Sequence, residues 1–265
     1  MGETANIPTW LGVAASVLLV LVAIGVSIRD RLGLTRELAV AAIRAFVQLL
    51  AVGALLLIVF ERGGLVAAFV WLVIMVVIGG FVAGRRAAQL PRGVQSAMAA
   101  IGIAVGITMG VLLVFGVIVA APEVVIPVGG MVVSGAMAAS ALTLRRIQES
   151  ARDQRERVEA RLSLGLTAAE AFAPEQRDAV RTALIPAIDT TKVVGLISLP
   201  GAMTGLILAG VDPLEAIRYQ IVVMFMLLSA ASLASFLSAK FAHRSLFTDN
   251  ARLIPIAASP VTMVQ

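Results

Sequence analysis

Long apolar runs alternate with short polar segments along almost the whole chain. Each run is close to the ~20 residues that a helix needs to cross the hydrocarbon core of a bilayer. Every backbone N–H and C=O group must be paired in that core, so the runs predict transmembrane α-helices. The predicted fold class is therefore all-α, a polytopic membrane protein with about seven transmembrane helices. The predicted spans are residues 10–28, 38–60, 65–83, 94–120, 124–144, 184–210 and 215–239.

The basic residues predict how the chain is oriented. Lys and Arg cluster in the segments after the first, third, fifth and seventh spans, and the alternate segments are nearly free of them. Cytoplasmic loops carry such an excess of positive charge. We therefore predict a multi-pass protein with its N-terminus outside and its C-terminus in the cytoplasm. Residues 1–243 form one transmembrane domain with a hydrophilic cytoplasmic segment at 145–183, and the tail at 244–265 is predicted to be partly disordered.

The composition agrees with a membrane protein and argues against several kinds of chemistry. Hydrophobic residues make up 60% of the chain and charged residues 14%. The net charge of +5 would suggest nucleic-acid binding in a soluble chain, but here the basic residues lie between the spans, so we predict the lipid bilayer as a partner and no nucleic acid. With no cysteine and a single histidine, His243, a transition-metal site inside the bundle is hard to build. The sequence has no GxxxxGK(S/T) phosphate loop, so we expect no nucleotide cofactor in this chain.

The sixth span, 184–210, carries charges and helix breakers inside an apolar run. Asp189 and Lys192 are three residues apart, so they share a helical face and can form an ion pair. Ionisable groups are costly within a membrane, and Pro200 followed by Gly201 interrupts the helix. We interpret this span as the functional helix of a transport protein, with Asp189 and Lys192 at a gate or substrate path and Pro200 and Gly201 as the flexing point.

The second span adds two polar residues to this hypothesis. Arg44 and Gln48 are one helical turn apart near its predicted cytoplasmic end. Arg44 either extends its side chain to the membrane interface or faces inward and pairs with Asp189, which lies at a similar depth. A static ion pair that fixes helix packing is the alternative to a gate.

Small residues at regular spacing predict helix contacts. Gly102, Gly106 and Gly110 form a stripe along the fourth span, and Gly205 follows Gly201 at the same spacing in the sixth. Such stripes let another helix approach closely, so we predict packing contacts at these glycines. Serines of the last span recur every three residues, which predicts bonds to their own helix or to a neighbour. They are Ser229, Ser232, Ser235 and Ser238.

The large hydrophilic segment predicts a short transverse helix outside the membrane. A helix that continues from the fifth span would end at Gly165 as a C-cap. Thr167 and Glu170 fit a capping box that starts a short helix at 168–172, and Pro174 would start another. A short helix presented in this way is suited to docking in the groove of a partner.

Several segments of the sequence resemble a known family. They are LIPAIDTTKVVGLISLPGAMTGLILAG at 184–210 with its continuation to residue 235, RAFVQLLAVG at 44–53, IPVGGMVVSGAM at 126–137 and RLSLGLTAAEAF at 161–172. These segments are similar to the FetB (YbbM-type) permeases of ATP-binding-cassette iron exporters and to the plant aluminium-sensitivity permeases. The resemblance implies a permease of the bacterial cytoplasmic membrane that is not itself an enzyme and works as a homodimer. It also implies a separate FetA-like cytoplasmic ATPase that binds ATP and Mg²⁺, and iron or an iron chelate as the exported substrate.

By this resemblance, the hydrophilic segment is the docking surface for the ATPase. It is also similar to the docking loop of cassette importers, with Glu159, Ala160 and Gly165 at matching positions and Arg161 in place of an alanine. We expect Phe172 to be the apolar anchor. The predicted docking residues are Gly165, Leu166, Thr167, Glu170 and Phe172.

Two other functions fit parts of the pattern. An ion-coupled secondary transporter would use Asp189 as a proton relay and would need no ATPase, although the seven spans show no obvious inverted repeat. A seven-helix receptor would hold retinal on Lys192, but the chain is poor in Trp and Tyr for such a pocket. If a metal ion is the substrate, two copies of Asp189 near a dimer axis could supply oxygen ligands.

Overall fold

The computed structural model describes residues 9–59, 63–248 and 252–256, and this part of the chain is helical, as predicted. The helices are α1 (Trp10–Arg29), α2 (Thr35–Ile58), α3 (Gly64–Arg85), α4 (Gly93–Val114), α5 (Pro122–Asp153), α6 (Arg155–Ser163), α7 (Ala168–Val193), α8 (Gly201–Leu208) and α9 (Pro213–Leu246). Six helices of the described ranges, α1 to α5 and α9, are long and apolar enough to cross a membrane by length and composition.

The core lies between α3, α4, α5, α7 and α9, and α5 contacts each of the other four. Its buried faces are rich in alanine and valine, and such small side chains let apolar helices approach closely. Hydroxyl groups pair across α5 and α9 inside this core: the Oγ atoms of Ser140 and Ser238 lie 2.6 Å apart, and Thr143 Oγ1 lies 2.7 Å from Ser235 Oγ. Ser235 and Ser238 therefore contact a neighbouring helix, while Ser232 donates to Leu228 O of its own helix over 2.8 Å, so both predicted alternatives occur in α9.

Helices α3 and α4 approach each other closely. A Cβ atom at Gly84 of α3 would overlap the backbone of Val94 on α4, and one at Gly80 would overlap Met98. Only glycine fits at these two positions without moving α4, because backbone atoms on the facing helix occupy the space.

Of the four predicted glycine contacts, only the one at Gly102 is found within the described residues of this chain. A Cβ atom at Gly102 would lie in ordinary contact with Val76, 3.5 Å away, and at the three other predicted positions it would meet nothing within 4 Å in the described structure. Four-residue spacing predicts a shared helix face, but it does not say which face another helix covers. The three positions are Gly106, Gly110 and Gly205.

The first two helices form a hairpin that stands apart from the core. Within the described ranges, α1 and α2 pack on each other and on no other helix along their length. At the turn between them, Ser27 is buried and its Oγ atom accepts a hydrogen bond of 3.3 Å from Thr35 Oγ1. Only the far end of α2 reaches the core, through Leu56 and Val59. We call α1 and α2 the α1–α2 hairpin.

The sixth predicted span is split in the structure. α7 ends at Val193 and α8 begins at Gly201. The part of α7 beyond Ala183 is about 15 Å long and α8 is about 12 Å long, so neither half spans a bilayer core by itself. The seven predicted crossings therefore appear as six membrane-length helices and one interrupted segment. The fourth span is also shorter than predicted, because α4 ends at Val114 instead of residue 120.

The helices of the hydrophilic segment also differ from the prediction. The helix from the fifth span breaks at Gln154, and α6 is a separate helix. No separate helix exists at 168–172, because α7 continues through Pro174 and Pro186. Contacts between α6 and α7 hold the chain helical through Pro174 and outweigh the local signal of proline.

The predicted tail is ordered where the structure describes it. Helix α9 continues to Leu246, and Phe247 bridges to Leu253. Both Leu246 and Leu253 are buried in the core. The rest of the predicted disorder falls on residues 249–251 and 257–265, which lie outside the described residues.

Candidate functional site

A break in the helix lies between α7 and α8, at residues 194–200. Gly195 has a φ of 79°, in the left-handed region that glycine favours, and its N–H donates to Ser198 O over 3.0 Å. The N–H groups of Leu196 and Ile197 both donate to Val193 O. Helix ends leave backbone groups without intrahelical partners, so a break at membrane depth exposes polar atoms to whatever occupies the neighbouring space.

A cavity of about 440 Å³ lies beside this break. The end of α7, the break and the start of α8 form one wall, with Thr191 and Met203 among its residues, and α9 forms the other wall with Ile217, Gln220 and Phe225. Its lining is mainly apolar with a few polar groups, which is the usual character of a small-molecule site.

Gln220 is the polar side chain that marks this cavity. It is only 5% exposed, and its amide oxygen has no hydrogen-bond partner in the described structure. Leaving a buried acceptor unsatisfied costs about 1–3 kcal/mol. A group retained at that cost beside a cavity is positioned to accept a hydrogen bond from a ligand. The sequence prediction missed Gln220, although a glutamine one turn after Ala216 inside an apolar span was a visible signal.

A second cavity of about 350 Å³ continues from the first toward the polar end of the bundle, by which we mean the end that carries α6 and the first turns of α7. The two cavities share Thr191 and Met224. α5 contributes Ser134 to the second cavity, and α7 contributes Ala183 and Pro186. We call the two cavities together the α7 groove, since α7 runs along both.

The predicted gate residues lie on the other face of α7. Asp189 and Lys192 form the ion pair that their spacing predicted, with 3.7 Å between Oδ1 and Nζ, but their side chains are 61% and 70% exposed and neither lines the α7 groove. The predicted pairing of Arg44 with Asp189 within one chain is wrong for the described structure, because α2 does not contact α7. Arg44 and Gln48 are both exposed on α2. Of the two predicted flexing residues, Pro200 lines the groove and Gly201 starts α8.

The predicted docking residues form a compact turn between α6 and α7. Gly165 has a φ of 90°, as a residue that ends a helix in the left-handed region should. The predicted capping box is confirmed: Glu170 N–H donates to Thr167 Oγ1 over 3.3 Å, and Thr167 N–H donates to the Glu170 carboxylate over 3.0 Å. The backbone and hydroxyl donors of Thr167 hold the pKa of Glu170 below its ordinary value. Leu166 is exposed, and so is the neighbouring Leu164 at 81%.

Phe172 is not available as the predicted apolar anchor. Its ring is fully buried and packs against His243 and Phe247, with ring centroids 6.1 Å from each. The capping box turns the first residues of α7 so that Phe172 points into the core, and its apolar character reflects packing. The exposed apolar residues of this turn are Leu164 and Leu166 instead.

An ion pair that the sequence prediction missed holds the turn in place. Arg161 Nη1 lies 2.9 Å from both carboxylate oxygens of Glu175 and donates to Ala171 O over 2.8 Å. Glu175 is only 8% exposed. Arg161 occupies the position where the similar importer loop has alanine, so in this chain the departure from that pattern has a structural role.

The groups needed for a resident metal site are not assembled in the described residues. No cluster of three or more His, Cys, Asp or Glu side chains lies close enough there to hold an ion. The suggestion that two copies of Asp189 supply ligands stays a prediction.

Six membrane-length helices and a groove at a discontinuous helix define a polytopic membrane protein, and transporters commonly place their binding sites at such helix breaks. The comparison with known families is consistent with this class. The family model described as "Uncharacterised protein family (UPF0014)" matches residues 10–247, and the chain belongs to that family.

Three relatives match over most of their length. The "UPF0014 membrane protein STAR2" of Oryza sativa subsp. japonica is 40% identical over 88% of this chain and 82% of its own. The "Probable iron export permease protein FetB" of Escherichia coli (strain K12) is 36% identical over 91% and 93%. The "Protein ALUMINUM SENSITIVE 3" of Arabidopsis thaliana is 37% identical over 89% and 86%. No solved structure matches the chain.

Proposed function

We propose that this chain is the permease subunit of an ATP-driven exporter, that its substrate is chelated iron, and that the substrate path is the α7 groove. The observation that carries the proposal is the similarity to the E. coli iron export permease over nearly the full length of both chains. Two copies of the chain and two copies of a separate, FetA-like cytoplasmic ATPase form the working unit. ATP and Mg²⁺ bind to the ATPase and not to this chain.

The chemistry of the α7 groove supports a chelate over a bare ion. Ferric iron is a hard cation and binds most readily to carboxylate and other anionic oxygen ligands. Among the described lining residues of the groove there is no carboxylate, and the polar groups there are neutral, such as the amide of Gln220 and the hydroxyls of Ser134 and Thr191. Neutral donors and acceptors suit the outer surface of a chelate, and cavities of about 350 and 440 Å³ have room for one.

The connection between α6 and α7 supports coupling to an ATPase. α7 is one continuous helix from the capping box at Thr167 to the groove and the break after Val193. A displacement applied at the turn before α7 would therefore be carried along a single helix to the groove. Leu164 and Leu166 give this turn an exposed apolar surface. A cleft of about 800 Å³ between α6 and the C-terminal segment opens beside Leu166.

The direct test measures ATP hydrolysis by the chain and its ATPase co-purified in lipid nanodiscs. Ferrous iron, a ferric chelate, an aluminium chelate and no substrate are compared. We expect the ferric chelate to stimulate hydrolysis more than ferrous iron does. Stimulation by the aluminium chelate alone would show that aluminium and not iron is the substrate. If the chain binds no ATPase, the ATP-driven assignment is overturned.

A secondary transporter with Asp189 as proton relay has less support. A relay residue exchanges protons along the substrate path, and Asp189 points away from the α7 groove. The nanodisc experiment also tests this alternative, because a secondary transporter would bind no ATPase and would show no substrate-stimulated ATP hydrolysis.

A further inference from the structure

Two polar patches at membrane depth are left uncovered by the chain itself. On α7, Asp189 and Lys192 face away from α5 and α9. On α2, Arg44 and Gln48 are exposed within a helix whose other surface is apolar. Charged side chains that face lipid are costly and usually pair with one another or face water inside a protein. Within one copy, Asp189 and Lys192 pair with each other at 3.7 Å, whereas Arg44 forms no ion pair with any described residue.

The two patches are complementary in charge, since Arg44 is positive and Asp189 is negative, and they lie at the same depth along their helices. Arg44 is eight residues beyond Arg36, the last basic residue before the span, which places it about 12 Å along α2. Asp189 is likewise eight residues beyond Arg181, about 12 Å along α7. Helices α3, α4 and α5 lie between them in the chain and are each long and apolar enough to cross a membrane. Three crossings would leave α2 and α7 running in the same direction.

The second pair of residues continues this register. Gln48 lies twelve residues beyond Arg36, about 18 Å along α2, and Lys192 lies eleven residues beyond Arg181, about 16 Å along α7. In two parallel helices placed side by side, Arg44 would meet Asp189 and Gln48 would meet Lys192 one turn further on.

The arrangement of the core separates α2 from α7 of the same chain. The α1–α2 hairpin is joined to α3, and α3 packs on α4 and α5. α7 packs on α5 and α9, with no contact to α3 in the described ranges. Because α5 lies between the two sides, the α2 of a second copy has freer access to the outward face of α7. A two-fold axis then forms the contact twice.

We propose that α2 of each copy docks on the outward face of α7 of a second copy, with Arg44 against Asp189 and Gln48 against Lys192. This inference rests on the two-copy assembly of the proposed function and assigns its interface. Arg44 then has a partner, and α7 has the second copy on one face and the substrate groove on the other. A movement of α7 would thus change the groove and the dimer interface together.

The test uses charge reversal in two copies that carry different affinity tags. Arg44→Glu alone and Asp189→Arg alone should each reduce the dimer recovered by tandem purification by about tenfold, because like charges then meet at both contacts. A copy with Arg44→Glu mixed with a copy with Asp189→Arg should recover the dimer, since every contact in that heterodimer pairs opposite charges. A further sample carries both changes in one chain, diluted among native copies. If the dimer is recovered only in this sample, Arg44 and Asp189 pair within one copy and the proposal is overturned. Unchanged dimer in both single variants would also overturn it.

Cysteine cross-linking decides the question if a reversed charge prevents folding. The chain has no native cysteine, so introduced thiols report without background. A copy with Gln48→Cys and a copy with Lys192→Cys should form a doubly tagged disulfide dimer. Phe46→Cys, at similar depth on another face of α2, is the matched control and should not cross-link to Lys192→Cys. Equal cross-linking by both positions, or by neither, would overturn the proposed interface. Because no iron or ATPase is used, the result is independent of the substrate and of the ATPase assignment.

Discussion

Gln220 illustrates how a single residue can mark a site in an apolar protein. It directly precedes a long apolar run of α9, and its amide oxygen is buried without a partner in the described structure. Buried polar groups in folded proteins are nearly always hydrogen-bonded. Among the unsatisfied buried groups of the described residues, that of Gln220 lies at the cavity beside the break of α7, which links the residue to binding rather than to packing.

We predict that Gln220→Leu reduces substrate-stimulated ATP hydrolysis at least tenfold without loss of stability. The substitution removes the hydrogen-bond acceptor that we propose for the substrate. It also removes an unsatisfied buried polar group, so the free energy of unfolding should stay the same or rise by about 1 kcal/mol. Substrate-stimulated hydrolysis and thermal unfolding of the same preparation measure the two effects.

Thr108→Val is the matched control for this prediction. Thr108 is also buried with an unpartnered oxygen, but it lies outside the α7 groove. The control should keep its stimulation by substrate. Equal loss of stimulation in both variants would show that Gln220 acts through general packing.

At the scale of the element, the turn between α6 and α7 is built by a cap and an ion pair. The capping box was visible in the sequence because its two residues are local. The Arg161–Glu175 pair joins residues on two helices, so no local pattern indicates it. The prediction of a separate helix at 168–172 was wrong for the same reason, since contacts across the turn outweighed the proline signal.

We predict that Glu175→Gln lowers the free energy of unfolding by about 1–3 kcal/mol, because a hydrogen bond between charged groups is lost at a buried position. Thermal unfolding in detergent, followed by tryptophan fluorescence, measures the change. Asp153→Asn is the control, since Asp153 pairs with Arg152 at an exposed position and such pairs contribute little. Equal destabilisation by the two variants would contradict a structural role for the Arg161–Glu175 pair.

The exposed leucines before α7 lead to a prediction on ATPase docking. We expect Leu164→Asp to reduce co-purification of the ATPase at least fivefold while the permease remains folded, because a charge would replace an exposed apolar contact. Pull-down of the permease from mixed membranes measures how much ATPase is recovered with it. Unaltered ATPase recovery with Leu164→Asp would remove this leucine from the docking surface.

Phe172→Ala should instead destabilise the permease by about 3–5 kcal/mol through a cavity in the core.

At the scale of the whole molecule, the topology depends on whether the interrupted segment crosses the membrane. The distribution of basic residues predicts that it does, since it places the N-terminus and C-terminus on opposite sides. The two short halves, α7 beyond Ala183 and α8, together reach about the thickness of a bilayer core.

We predict that introduced cysteines report seven crossings. Thr9→Cys and Asp212→Cys should react with a membrane-impermeant maleimide on intact cells, and Thr248→Cys should react only after the cells are permeabilised. The termini lie on opposite sides only if the crossings are odd in number. Labelling of position 212 from the cytoplasmic side alone would show that α7 and α8 re-enter the membrane without crossing it.

The sequence by itself determined the all-α membrane class, the approximate spans, the capping box, the Asp189–Lys192 pair and the resemblance to a permease family. These features depend on hydropathy, local spacing and residue type, which are properties of short segments. Only the tertiary structure decided that Phe172 is buried, that Gln220 faces a cavity and that, among the described residues, Gly106 and Gly110 of the α4 stripe have no close neighbour. The physical reason is that lipid and protein core are both apolar, so hydropathy cannot tell a lipid-facing side of a helix from a buried one. Contacts between helices far apart in the chain make that distinction, and they place the groove on one face of α7 and its charges on the other.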